Sequence, residues 1–213
     1  MSSTSYRSPE STRLDYDYDR LLHSGEPLDV PRDRGRLEFP ALGRFEMVLV
    51  FTVATIAYFL VGLHFVDTSH VVVFDALDRL TRAYMTWWDS PPKLAAIGFV
   101  YPPIQSIVFL PFAVVKPLAT SVVALPLVGA LFAALTLVSL DAILVRCDMP
   151  LLLRLVTLVL FGIGPLWAWS VTTGEAEAVY GFLFMATLAG FVAWYLTEET
   201  RFLIGCGLAI ALG

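Results

Sequence analysis

Apolar residues in this chain run in long blocks rather than alternating with polar ones, and the first block begins abruptly. From Phe45 to Val66 there are 22 residues with one charge, Glu46, at the edge. At 1.5 Å per residue such a helix covers about 33 Å, enough for the core of a bilayer. Blocks at Ala119–Leu140, Leu151–Ser170 and Val179–Leu196 predict three more spans. A fifth run, Phe202–Gly213, reaches only about 18 Å as a helix. It is too short to cross, and the chain reads as the front part of a longer one. Ile104–Val115 is also short and is bracketed by Pro102, Pro103, Pro111 and Pro117. It is predicted to be re-entrant or interfacial.

The loop Asp67–Leu118 has a pattern of its own. Val73, Leu77, Leu80, Tyr84 and Trp87 recur at alternating spacings of four and three, an apolar stripe on one helical face. Asp75, Asp78, Arg79 and Arg82 fall opposite. The spacing predicts an amphipathic helix lying along the membrane surface, with Trp87 and Trp88 at its end and the Pro91-Pro92 pair stopping it.

Composition sharpens this reading. Hydrophobic residues make up 57% and charged residues 15%, with a mean hydropathy of +0.73, whereas soluble chains carry about 45–50% and about 25%. The polar surface is too small to coat a water-soluble globule, so lipid is the expected solvent. A net charge of −5 gives no reason to expect a nucleic-acid partner. Cys147 and Cys206 alone make neither a disulfide scaffold nor a paired-cysteine metal motif, and leave the redox compartment open. Residues 1–44 hold seven of the 14 basic and eight of the 19 acidic residues with no apolar period, the signature of a disordered tail. Arg32, Arg34, Arg36 and Arg44 precede the first span and put that tail in the cytoplasm. Arg146, Arg154 and Arg201 then fall in inner turns, and Asp67–Leu118 lies outside. The fold class expected is an all-α polytopic membrane protein.

Few residues offer chemistry. Asp75, soon after the first span and on the polar face, is placed to act as a general base toward a lipid-linked substrate, or simply to pair with Arg79 as Asp78 pairs with Arg82. His70, Asp75 and Asp78 are weak candidates for a divalent cation such as Mg or Mn. Arg79 and Arg82 suit a phosphate or diphosphate, or lipid head groups. Glu175 and Glu177 sit at an outer turn close to hydrocarbon, solvated or used. Asp141, near Arg146, reads as an inner-end salt bridge, and His64 as interfacial. No glycine-rich phosphate loop, Gly-x-Ser-x-Gly elbow or His-Glu-x-x-His pattern occurs, and near-absence of charge within the spans argues against a pump or channel.

The stretches Phe74-Asp-Ala-Leu-Asp-Arg-Leu-Thr-Arg-Ala83 and Asp89-Ser-Pro-Pro-Lys-Leu-Ala-Ala-Ile-Gly-Phe-Val-Tyr-Pro-Pro-Ile-Gln-Ser106 resemble the first outer loop of bacterial C-type membrane glycosyltransferases. Gly164-Pro-Leu-Trp-Ala-Trp-Ser-Val-Thr-Thr-Gly-Glu-Ala-Glu-Ala178 is similar to a later segment of the same family, with Glu177 at its acidic position. The resemblance covers roughly residues 45–200 and implies the N-terminal module of that fold. It also implies a plasma-membrane enzyme that moves a sugar from a polyprenyl-phosphate donor to an acceptor on the outer face. Asp75 matches the base or metal-contacting aspartate. Substrate contacts are implied at Asp78, Arg79, Arg82, Tyr101, which stands where tryptophan is frequent, and Glu177. A non-catalytic membrane subunit, assembling with another membrane protein, and a transporter or lipid-handling protein remain as alternatives.

The topology has a direct test. In Lys93→Cys, a membrane-impermeant thiol reagent should label position 93 from the face opposite the N-terminus. Labelling from the N-terminal face alone overturns the arrangement.

Overall fold

In a computed structural model, residues 41–92, 94–97 and 103–212 are described. The tail expected over residues 1–40, and Lys93 and Tyr101, lie outside the described residues. The first apolar block forms α1 (Ala41–Leu63), continued by a π-helical turn at His64–Thr68. Ala41–Arg44, expected in the tail, already belong to this helix. α2 (Phe74–Trp88), α3 (Pro103–Ala113) and the short α4 (Lys116–Thr120) follow. Then come α5 (Ala124–Arg146), α6 (Leu151–Gly162), α7 (Pro165–Thr173), α8 (Ala176–Thr197) and α9 (Thr200–Leu212).

Three of these, α1 with its π turn, α5 and α8, are long and apolar enough to cross a membrane; α6 and α7 make a fourth if counted together. α5 is the central helix, most of its span buried, with α1 and α8 packed on it and α9 on α8. Its contact faces are rich in small residues, with Ala130, Ala133 and Ala134 wholly buried. Lipid tails are as apolar as leucine, so spans associate where small side chains let backbones approach. Phe45, Val48, Val53, Ile56 and Leu60 of α1 stay exposed on the other side, as a helix solvated by lipid requires.

Two expected boundaries move. The block expected at Ala119–Leu140 becomes α4 and then α5, because Val122 takes a left-handed φ of 64° and breaks the helix. At its far end α5 continues past Asp141 to Arg146, whose guanidinium folds back onto Ala142 O at 3.0 Å. The block Leu151–Ser170 is not one straight span but two helices bent by 65°. Pro165 has no N–H to give and disfavours helical geometry in the residue before it, so the chain turns at Ile163–Gly164. The pair nonetheless joins both ends of the bundle. Arg154 of α6 meets Glu46 of α1 at one end, while Thr172 of α7 lies against Gly62 of α1 at the other. Tyr58 Oη donates to Gly162 O at 2.7 Å, satisfying a carbonyl freed by the break.

α2 forms where the periodicity placed it but is rotated. Its buried residues are Ala76, Arg79, Leu80, Ala83 and Thr86, while Leu77 and Trp87 of the expected apolar stripe are exposed. Arg79, expected on the water face, is therefore buried. The reason is that α2 packs on α3 and the start of α5, not on lipid alone. Alanines at 76 and 83 give the closest approach, in a cluster with Phe109, Ala113, Leu125 and Val128. Both tryptophans cap α3: Trp87 Nε1 donates to Leu110 O at 3.0 Å, and Trp88 Nε1 to Ala113 O at 2.9 Å. Both carbonyls lie in the helix's last turn, where partners within the helix run out, and Leu110 O also accepts from Val114 N at 3.3 Å. α3 itself, with Gln105, Ser106, Phe109 and Ala113 buried, is a short helix inside the segment expected as a loop.

A β-carbon on Gly129 of α5 would run into Val171 O, and backbone does not yield cheaply. Gly129→Ala should therefore lower the thermal midpoint in detergent, at about 1–3 kcal/mol for overpacking. Gly205→Ala, in open space on α9, should leave it unchanged or raise it. Equal midpoints for the two variants would remove the close α5–α7 contact.

Candidate functional site

The candidate residues gather at the end of the bundle where α1 finishes and α5 begins. Asp75 is exposed in the first turn of α2. A carboxylate there also complements the positive end of the helix dipole. One turn on, Arg82 Nε donates to Asp78 Oδ2 at 2.6 Å, the i,i+4 pair expected from spacing. Such a partly exposed pair contributes about 0.3–0.5 kcal/mol, so Asp78 and Arg82 are first of all each other's partners.

The second part is the turn between α7 and α8. Gly174 ends α7 with φ 75°, a left-handed conformation, and a side chain there would collide with Leu125 O. Only glycine satisfies both conditions. The turn carries Ser170, Thr172 and Thr173, all buried, together with half-buried Glu175 and exposed Glu177. Thr173 Oγ1 donates to Glu175 Oε1 at 3.3 Å, and Glu175 N donates to Ser170 O at 3.0 Å. Burial raises the Glu175 carboxyl above its ordinary value, and the neighbouring Glu177 charge adds to the rise. Leu125 links the two parts. Its side chain packs in one cluster with Ala76 and Leu80 of α2, and its carbonyl lies against Gly174. Phe65, in the π turn, meets Trp169 edge-on with ring centres 5.6 Å apart and closes the same end.

A metal finds no seat here. Among the described residues no three His, Cys, Asp or Glu side chains are grouped to hold an ion. His70 is an exposed turn residue at φ 52°, and the Asp78 carboxylate is already taken by Arg82. The set His70, Asp75 and Asp78 thus does not fit a divalent cation.

At the opposite end lies a constellation that the spacing did not reveal. Arg154 of α6 sits between Glu46 of α1, in direct ion-pair contact, and Asp141 of α5, at 3.1 Å from its Nε to Oδ1. Asp141 is fully buried. Arg154 of α6, rather than Arg146 of α5, is therefore the ion-pair partner of Asp141. The sequence places Arg154 in an inner turn; the signal missed is a lone arginine inside an apolar block, which calls for acids on neighbouring spans. No family model, curated protein or solved structure matches the chain.

The raised Glu175 carboxyl has a pH signature. The folded state holds its proton to higher pH than the unfolded chain, so the protein loses this contribution as pH rises from the ordinary carboxyl value of 4.5 through the folded one. Relative to the parent, Glu175→Gln should therefore gain thermal stability as pH rises through that window. A pH-independent difference between parent and variant would contradict the burial.

Proposed function

We propose that this chain is a membrane glycosyltransferase, or the N-terminal part of one, using a polyprenyl-phosphate-linked sugar. The observation that carries the reading is a convergence. Two stretches about a hundred residues apart resemble the same enzyme family, and they meet at one end of the bundle through Leu125. One brings an exposed carboxylate, Asp75, and the other a small acidic and hydroxyl-rich turn. The polar face of α2 lies beside spans long enough to cross a membrane, where a lipid-linked donor presents its sugar.

In this reading Asp75 accepts the proton of an acceptor hydroxyl as that oxygen attacks the anomeric carbon. A new carbon–oxygen bond forms, the bond to the donor phosphate breaks, and polyprenyl phosphate leaves with the electron pair. Attack opposite the leaving group inverts the anomeric centre. Glu177, exposed at the start of α8, and Arg82 are the groups we assign to holding sugar and phosphate, in the bacterial plasma membrane with the N-terminus inside. A second reading, a membrane subunit that assembles with a partner, is favoured by α9. This helix packs on α8 and leaves Ile204, Leu208 and Ile210 exposed.

Asp75→Asn separates the two readings. It keeps shape but removes the proton acceptor, so sugar transfer in membranes supplied with a polyprenyl-phosphate donor should fall by about 10²–10⁴. Expression and thermal midpoint should hold. Glu199→Gln, whose acid pairs with Arg201 elsewhere on the chain, should transfer at the parental rate. Parental turnover by Asp75→Asn would rule out the general-base role.

A further inference from the structure

The helix α3 carries an inverted pattern of polarity. It has only two polar side chains, Gln105 and Ser106, and both are buried against the protein. All its exposed and half-buried positions are apolar, and Pro103, Ile107 and Pro111 recur outward at every fourth residue. Among the described residues Gln105 Oε1 has no hydrogen-bond partner, which is costly for a buried acceptor. With water on its outward side, the helix would gain by turning the glutamine out and an isoleucine in. A helix that keeps its amide inside and its hydrocarbon outside has an apolar medium around it. Its 11 residues reach about 16 Å, roughly half of a hydrocarbon core about 30 Å thick.

α2 continues this surface. Phe74, Leu77, Met85 and Trp88 are exposed and share one stripe with Thr81, at spacings of three and four. The Thr81 hydroxyl donates to Leu77 O at 2.8 Å, so even the polar member of the stripe is satisfied without water. Trp88 ends it with its ring half exposed and its Nε1 engaged by Ala113 O. Val114 and Val115, next to that carbonyl, are exposed in turn. The apolar surfaces of the two helices therefore join at Trp88. Their border is charged. Lys116 lies over the Trp88 ring, and Asp75, Asp78 and Arg82 run along the neighbouring edge of α2, again at spacings of three and four. Tryptophan and a cation at the rim of an apolar surface are what a bilayer interface selects. Only residues 69–73 separate α2 from the π turn that continues α1, so the unit lies at the level where a span ends.

We infer that α2 and α3 are inserted together into one leaflet of the bilayer. Leu77, Met85, Trp88, Ile107, Pro111 and Val114 meet acyl chains there. Asp75, Asp78 and Arg82 are held at the depth of the head groups. The sequence, by its length and prolines, leaves Ile104–Val115 re-entrant or interfacial; the inward turn of Gln105 and Ser106 is what assigns lipid to its outward side.

The test places a nitroxide spin label on single cysteines of the full chain in phosphatidylcholine vesicles. The parent carries Cys147→Ser, and Cys206 stays in place, buried against Thr187 O. Each label is relaxed by oxygen, which concentrates in hydrocarbon, and by a neutral nickel chelate, which stays in water. At Leu77→Cys and Ile107→Cys oxygen should be the stronger relaxant, and at Asp75→Cys the order should invert. If the label at 107 prevents folding, Val114→Cys reads the same surface. Nickel dominance at 77 and at 107 or 114 puts water on that face and overturns the inference. Weak relaxation by both reagents there means that protein covers the face, and overturns it equally. The same oxygen-to-nickel ratio at 75 as at 77 overturns the placing of the polar edge among head groups.

Discussion

Arg154 is the charge around which the bundle is organised. A guanidinium in an apolar helix is tolerated only where acids and hydrogen bonds replace its water. Glu46 and Asp141 do this from two different helices. Removing any one partner would strand a charge against hydrocarbon, at roughly 3–5 kcal/mol for a buried pair. The cluster therefore acts less as glue than as a register mark. It fixes which turn of α1 faces which turn of α5 and α6. It also explains why α5 runs on through Asp141, a residue that would otherwise end a span.

The same demand, that no polar group be left bare in lipid, accounts for the irregular parts. The break at Ile163–Gly164 exposes backbone in the middle of a candidate span, and Tyr58 reaches across from α1 to serve Gly162 O. At the other end Trp88 does the corresponding work for Ala113 O in the last turn of α3, and Trp87 adds a second donor to Leu110 O. Lys116 lies over the Trp88 ring, 5.4 Å from its centre. The segment between α1 and α5 is thus a folded unit set on the bundle rather than a connection. That support is what sets α2, and with it Asp75, on the start of α5.

The helical spans could be read from the chain because block length and missing charge are local properties. α1, α2 and α8 lie close to where the apolar pattern put them. The rotation of α2 could not be read from size alone, since a stripe of large apolar residues marks what avoids water, while closest packing is made by Ala76 and Ala83. The bend before Pro165 is missed, since Leu151–Ser170 reads by its apolarity as one span, and its angle depends on what α7 packs against. Of the candidate site, the Asp78–Arg82 pair followed from i,i+4 spacing. The link between α2 and the α7–α8 turn did not, because both rest on Leu125 of α5, an ordinary leucine. The Arg154 cluster is a meeting of residues 46, 141 and 154, and no window along the sequence contains all three.

The two halves of the bent span answer to different rules of drift. α7 is held by backbone: Gly62 and Gly129 lie so close to the carbonyls of Thr172 and Val171 that neither can acquire even a methyl group without moving the main chain. α6 turns Leu152, Val156, Val159 and Leu160 outward and is pinned mainly by Arg154 and by Tyr58 at its end. Over generations the outward face of α6 is free to exchange one apolar side chain for another, while the glycines facing α7 are frozen. A population of related sequences would record this as a span whose first half wanders and whose second half stands still, with the boundary at Gly164-Pro165.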